Sequence, residues 1–141
     1  MSGDRELVRH DLPGERRDEL LRAAARALES MPGVRLAWAY GSFVRAERFR
    51  DLDLAVQFAG RPGWRDPGRV VEAVSLALER PPFEIDVVPL NDAAPEFRLD
   101  VARRGILLRE RIVGEAIEFA ALARSELMDL AEWRRALAAG R

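Results

Sequence analysis

The chain has 141 residues, of which 48% are hydrophobic, and its formal net charge is −1 at pH 7. This length and apolar content predict one domain with a hydrophobic core, and the small net charge excludes a general electrostatic attraction to nucleic acid. The absence of Cys and Lys excludes disulfides, thiol nucleophiles, cysteine zinc sites, Schiff-base chemistry and Walker-type phosphate loops.

The N-terminal region carries little structural signal. We interpret residues 1–13 as a polar tail or a short edge element of a single domain that spans residues 1–141. The only histidine, His10, falls in this region, and we expect it in a mobile tail, which argues against a Ser-His-Asp triad. No apolar stretch typical of a signal peptide or a membrane helix occurs, so the sequence predicts a cytoplasmic protein that does not contact a membrane.

A helix and a strand precede the first motif. Apolar residues recur at helical spacing from Glu15 to Ser30, which predicts an amphipathic helix, and Pro32-Gly33 ends it. Alternation then predicts a strand from Val34 to Tyr40. Its larger side chains are expected on one face: Val34, Leu36, Trp38 and Tyr40.

The strand ends at Gly41-Ser42, which we predict to be a sharp turn into a helix. Glycine permits close backbone approach to a ligand, and Ser42 can cap the helix that follows. Backbone N–H groups at such a turn favour a phosphate group, and an ordinary turn with a serine cap is the alternative. The charged stretch Phe43–Arg50 follows, and its guanidinium groups are either phosphate ligands or a solvated surface.

Two alternating segments place three carboxylates within reach of one another. In Asp51–Phe58 the apolar residues face one way, so Asp51 and Asp53 project from the other face of a strand. Phe83–Pro89 repeats the pattern and adds Asp86. If these strands are neighbours, at the usual spacing of about 4.8 Å, the three carboxylates converge. Their repulsion would be resolved by a hard divalent cation with oxygen ligands, which we expect to be Mg²⁺.

The rest of the chain alternates between helices and strands. A helix is predicted from Asp66, as its N-cap, to about Arg80, and a shorter helix from Pro95 to its C-cap at Gly105. A fourth strand is predicted at Ile106–Leu108. This order predicts an α/β (α+β) fold with a mixed sheet of about four strands and helices packed on its apolar face.

The last predicted element is a long C-terminal helix over residues 112–138. Its main apolar stripe comprises Ile112, Ala116, Phe119, Ala120, Ala123, Leu127 and Leu130. Further apolar residues, among them Met128 and Trp133, lie outside this stripe. A helix that is apolar on more than one side needs two neighbours. The second neighbour is either a partner protein or, if the helix bends, the core of its own domain.

These motifs carry a family resemblance. A Gly-Ser turn after a strand, Asp-x-Asp on the next strand and one more Asp on a third resemble the nucleotidyltransferase superfamily that includes DNA polymerase β. The size, the run Asp51–Val56 and the stretch Ile85–Leu108 are most similar to the minimal nucleotidyltransferases, the MNT proteins. Eight residues separate Ser42 from Asp51, a shorter spacer than is usual in the family, which predicts a tight loop.

The resemblance implies a function and a set of site residues. MNT antitoxins act as adenylyltransferases on HEPN toxins, which implies transfer of AMP from ATP to a hydroxyl, expected to be that of a tyrosine, on such a toxin. Asp51, Asp53 and Asp86 would be catalytic and would bind two Mg²⁺ ions, with Mn²⁺ as an alternative. Gly41, Ser42 and Arg45 would bind the nucleoside triphosphate. In the superfamily, the carboxylate face opens to the substrate cleft.

Two other functions stay open at the level of sequence. One is a binding protein without activity that neutralises a toxin by contact, which the complete set of three carboxylates argues against. The other is a small-molecule nucleotidyltransferase, which the short chain argues against because such enzymes usually carry a further domain. A homodimer is an alternative assembly, and no direct contact with nucleic acid is expected.

Overall fold

The computed structural model describes residues 9–140, which form five helices and six strands within that range. The helices are α1 (Gly14–Glu29), α2 (Ser42–Arg45), α3 (Asp66–Ala77), α4 (Pro95–Arg104) and α5 (Glu115–Ala139). The strands are β1 (His10–Asp11), β2 (Val34–Tyr40), β3 (Arg48–Phe49), β4 (Asp51–Phe58), β5 (Glu84–Pro89) and β6 (Ile106–Glu110). None of the described helices combines the length and apolar character that crossing a membrane requires.

The main sheet has the strand order β5-β4-β2-β6. Strand β4 pairs in parallel with β5, whereas β2 pairs antiparallel with both β4 and β6. The predicted mixed sheet of four strands, and with it the fold class, is therefore confirmed. The parallel pairing of β4 with β5 sets the neighbouring carboxylates side by side, because the two strands start at the same end of the sheet.

Helices cover both faces of this sheet, which corrects the expectation that they pack on one face. On the first face, α1 and α3 pack against the apolar side chains of β4, such as Leu52, Leu54 and Val56. On the second face, α4 and α5 pack against Leu36 and Trp38 of β2. The aromatic rings of Trp38 and Phe119 lie 5.2 Å apart there. The second face is covered because its apolar residues and the inward apolar side of α5 are both removed from water when they pack together.

A β-bulge in β2 explains why its predicted alternation is wrong at one position. The register of β2 against β4 shifts between Val34 and Leu36. Val34 therefore packs in the first core together with Ala37 and Ala39, whereas Leu36 and Trp38 pack in the second. One extra residue in a strand reverses the faces of the residues on either side of it.

Several predicted element ends differ from the structure by a few residues. Helix α3 ends at Ala77 rather than near Arg80, because Glu79 and Arg80 adopt left-handed φ values of 59° and 51°. Asp66 is the first residue of α3 rather than its N-cap, and its side chain accepts the N–H of Gly63 at 2.6 Å. Strand β6 extends to Glu110, two residues beyond the predicted end.

The long C-terminal helix begins at Glu115 rather than at Ile112. Gly114, with a left-handed φ of 97°, interrupts the helical conformation before Glu115, and Ile112 is exposed. The buried Glu115 accepts a hydrogen bond of 3.1 Å from Arg35 and so ties the start of α5 to β2. The rest of the predicted stripe, from Ala116 onward, is buried or half-buried as expected.

His10 lies in a strand rather than in a mobile tail. It belongs to β1, which pairs antiparallel with β3. Its ring lies 5.6 Å from that of Phe49 and 5.7 Å from that of Phe83, between ring centroids. Within the predicted tail or edge element of residues 1–13, residues 1–8 lie outside the described part of the chain.

Candidate active site

Three carboxylates converge where β4 and β5 begin. Asp53 is the register partner of Asp86 across the parallel pair, and Asp51 lies two residues earlier on β4. One carboxylate oxygen from each of the three lies within 4.8 Å of the others. Asp51 and Asp53 are half-buried, whereas Asp86 is exposed. We call Asp51, Asp53 and Asp86 the acidic triad. The structure thus brings together the three carboxylates that the sequence predicted as neighbours.

Gly41 closes one side of the acidic triad. A Cβ atom at this position would lie 2.8 Å from Oδ2 of Asp53, closer than nonbonded contact permits. The backbone of Gly41 also has φ of 81°, a left-handed value that favours glycine. Glycine is therefore required at position 41 for two reasons: the left-handed backbone conformation and the close approach of the Asp53 carboxylate.

Ser42 and Arg45 both lie in the short helix α2. The prediction that Ser42 caps the helix is wrong: Gly41 holds the N-cap position and no side chain caps it. Arg45 lines a cleft between α1 and α2 together with Arg17 and Glu47, and the acidic triad does not line that cleft. Among residues 9–140, no side chain or backbone group pairs with its guanidinium.

Burial and mutual repulsion raise the proton affinity of Asp53 and Asp86. Burial, followed by the charges of Asp51 and Asp86, raises the pKa of Asp53 from 3.8 to about 6. Burial, followed by a hydrogen bond to Asp51 and by its charge, raises the pKa of Asp86 from 3.8 to about 6 as well. Arg50 lowers both pKa values but does not cancel the increase. The positive charge of Arg50 is therefore too weak to offset the burial and mutual repulsion of Asp53 and Asp86.

Two neighbours of the triad were not predicted from sequence. Arg50 lies close enough to lower the pKa of two triad members, and its position directly before Asp51 was a usable signal. Tyr40 is the register partner of Asp53 on β2, and its ring packs edge-on against Phe97 at 5.6 Å. Burial, followed by the charge of Asp53, raises the pKa of Tyr40 to about 12. Its hydroxyl therefore stays protonated at neutral pH.

The donor set of the triad fits a hard divalent cation. All three side chains offer carboxylate oxygens at a mutual separation that one cation or a closely spaced pair can span. A bound cation would also offset the repulsion that raises the pKa values of Asp53 and Asp86. Mg²⁺ binds through one or two carboxylates together with substrate phosphates, which matches this half-open arrangement.

Comparison with known families agrees with this geometry. The family model described as "Polymerase beta, Nucleotidyltransferase" matches residues 23–112, more than half of the chain. The chain belongs to the polymerase beta nucleotidyltransferase family. The matched residues contain the Gly41-Ser42 turn and all three members of the acidic triad. No curated protein sequence is significantly similar to this chain.

Several solved structures share this nucleotidyltransferase fold. A toxin–antitoxin complex described as MntA-HepT matches with a TM-score of 0.63 and 19% identity, over 87% of this chain and 97% of that chain. A toxin–antitoxin structure with AMP-PNP matches with a TM-score of 0.65 and 21% identity, over 85% and 96%. A tri-AMPylated HEPN toxin with MNT antitoxin, from Shewanella oneidensis, matches with a TM-score of 0.64 and 20% identity, over 88% and 97%. At these identities the likeness shows the fold.

The raised pKa of Asp53 predicts that removing its charge stabilises the metal-free protein. Between pH 3.8 and about 6 the folded state binds this proton more tightly than the unfolded state, so stability falls as pH rises through that window. In EDTA, Asp53→Asn should therefore melt at a higher temperature than wild type at pH 7.5. The difference should shrink toward zero at pH 4, where the wild-type carboxyl is protonated too. Thermal unfolding followed by circular dichroism measures both values.

Asp100→Asn is a matched control for this measurement. Asp100 is an exposed carboxylate that pairs with Arg104 at 3.1 Å on the surface of α4, so its replacement removes a charge without relieving repulsion. We expect no increase in melting temperature from it. An equal gain from both variants, or a gain from Asp53→Asn that does not depend on pH, would contradict the repulsion between the triad carboxylates.

Proposed function

We propose that this protein transfers AMP from ATP to a hydroxyl group of a HEPN-type toxin and thereby acts as its antitoxin. The observation that carries the proposal is the acidic triad at the Gly41-Ser42 turn, in a chain of the nucleotidyltransferase family. Solved structures of similar fold support the choice of substrate and partner. One contains AMP-PNP, and another contains a tri-AMPylated HEPN toxin with its MNT antitoxin.

Asp51, Asp53 and Asp86 would hold divalent cations, which we take to be two Mg²⁺ ions or, alternatively, Mn²⁺. When bound, the cations lower the charge repulsion between the triphosphate and the incoming oxygen. Asp51 and Asp53 suit this role because they project from one face of the same strand and are half-buried. The backbone at Gly41 and Ser42, together with the guanidinium of Arg45, would bind the phosphates.

Asp86 would accept the proton of the attacking hydroxyl. It is the exposed member of the triad, on a different strand from the other two, so an acceptor can approach it from solvent. In the reaction a bond forms between the acceptor oxygen and the α-phosphorus. The bond between the α-phosphorus and the bridging oxygen breaks, and pyrophosphate leaves. The proton passes to the carboxylate of Asp86.

The partner would dock on the C-terminal half of α5. The described residues from Ala131 to Gly140 are all exposed, so this half projects beyond the sheet that α5 covers. It presents large apolar side chains to solvent, with Met128 and Trp133 each 60% exposed and Leu137 53% exposed. The acidic triad and this projecting segment would then contact different parts of one toxin.

The proposed reaction predicts that Asp86→Asn transfers AMP at least ~100-fold more slowly than wild type, because a general base contributes ~10² to 10⁴ in rate. The variant keeps the shape of the side chain and should still bind ATP and the partner. The measurement is single-turnover transfer of labelled AMP to a HEPN protein encoded beside this chain, in the presence of Mg²⁺.

Asp92→Asn serves as the control, because Asp92 is an exposed carboxylate in the turn after β5, at the far end of that strand. Its transfer rate should equal that of wild type. Wild-type rates from Asp86→Asn would remove Asp86 from the site. If wild type binds the toxin tightly but transfers no label, the proposed activity is wrong and neutralisation by contact replaces it.

The proposed docking surface predicts that Trp133→Glu weakens the complex with the toxin, because it places a charge in an apolar interface. Trp64→Glu is the matched control: Trp64 is 84% exposed, but it lies in a loop and stacks with Arg65. Light scattering on each variant mixed with the toxin measures assembly, and circular dichroism checks the fold. If both variants assemble like wild type, the docking surface is wrong. If Trp133→Glu disrupts only a homodimer, the segment joins two copies of this chain instead.

A further inference from the structure

Arg17 of α1 is bonded to the loop that follows the Gly41-Ser42 turn. Its Nη1 donates to the carbonyl of Phe43 at 3.0 Å and also to that of Ala46, and its Nη2 donates to the carbonyl of Glu47. Its Nε donates to the carbonyl of Leu12, at 3.2 Å, just before α1 begins. One guanidinium therefore joins two segments that are about thirty residues apart in sequence.

The guanidinium of Arg17 also packs on the aromatic core beneath this loop. Its central carbon lies 4.8 Å from the ring centroid of Phe49 and 5.8 Å from that of Phe43. Both phenylalanines are fully buried, and their rings are 4.6 Å apart. The planar shape that allows stacking and the fork of donors that reaches several carbonyls are both specific to arginine, and lysine provides neither.

The segment that Arg17 holds has little stability of its own. Helix α2 has four residues, and its N-cap Gly41 has no side chain. Its internal bonds run from the N–H groups of Val44 and Arg45 to the carbonyl of Gly41, each at 3.2 Å, and from the N–H of Ala46 to the carbonyl of Ser42 at 2.8 Å. A helix this short does not form in isolation, because the free energy needed to nucleate it exceeds the stabilisation from the hydrogen bonds of one turn. The hydrogen bonds from Arg17 are accepted by backbone carbonyls on both sides of Arg45.

We propose that Arg17 is a positioning residue that fixes the loop of residues 41–47 for binding of the nucleotide's phosphates. The inference rests on the proposed function for the identity of the ligand, but it adds a residue outside the motifs of that function. In this arrangement Arg17 does not touch the nucleotide. It acts through the backbone around Arg45 and so fixes the loop that carries the guanidinium of Arg45.

Hydrogen–deuterium exchange on Arg17→Lys tests the first half of this proposal without any nucleotide. The substitution keeps the charge and the helix propensity, so the fold should be retained. The amides of Val44, Arg45 and Ala46 should exchange at least ~10-fold faster, whereas amides of β2 and β4 should be unchanged. Arg16→Lys is the matched control, because Arg16 is exposed and its ion-pair partner within residues 9–140 is Glu19 on the same helix. Unchanged exchange in the loop of Arg17→Lys would overturn the proposal.

A double-mutant cycle on ATP affinity tests the second half. Arg17→Lys should weaken ATP binding by about 10-fold, the effect expected from losing one charge-assisted contact. In a chain that already carries Arg45→Gln, the same substitution should cost little further affinity, because the two residues act as a unit. Equal losses in both backgrounds would show a general structural effect and overturn the proposed coupling to Arg45.

The two measurements also separate this inference from the proposed function. If wild type binds no ATP in Mg²⁺, the proposed function fails, and the coupling to the nucleotide fails with it. The exchange measurement still decides whether Arg17 holds the loop. If wild type binds ATP and transfers AMP but Arg17→Lys does so equally well, the function stands and the positioning role of Arg17 is rejected.

Discussion

Repulsion between three carboxylates at one end of the sheet is the constraint on which the rest of the structure depends. Parallel pairing of β4 with β5 places Asp86 beside Asp53, and the two-residue period of β4 adds Asp51 on the same face. The apolar residues of β4 that face α1 and α3 are fully buried, so the strand cannot shift to separate the charges. The folded chain therefore concentrates negative charge at the triad. Hydrophobic burial offsets the free-energy cost of the repulsion, and a bound cation would lower that cost.

Several elements of the fold position the acidic triad. Gly41 lets the turn approach Asp53, and the loop behind that turn is bonded to α1 through Arg17. On the second face, which also carries the acidic triad, α4 and the first half of α5 cover β2, and the ion pair of Arg98 with Glu126 joins these two helices. The second half of α5 is left exposed. The proposed nucleotide site and the proposed partner surface thus lie on different elements of the fold.

The sequence predicted the parts of the fold that depend on local patterns. Alternation in β4 and β5 identified both strands, and it placed the triad members on one face before their pairing was known. The bulge that moves Val34 to the other core was not predictable, because it depends on how β2 aligns with β4. Arg17 was missed for a similar reason: its acceptors are backbone carbonyls far along the chain, and these leave no pattern in the sequence.

The most direct test of the site is a crystal structure of this protein with Mn²⁺ and a non-hydrolysable ATP analogue, with data collected at the manganese absorption edge. We expect anomalous density bonded to carboxylate oxygens of Asp51, Asp53 and Asp86, with the analogue's phosphates against the turn at Gly41-Ser42. Manganese bound elsewhere, or a nucleotide that leaves the triad free of metal, would contradict the assignment of these three carboxylates to a metal-dependent nucleotidyltransferase site.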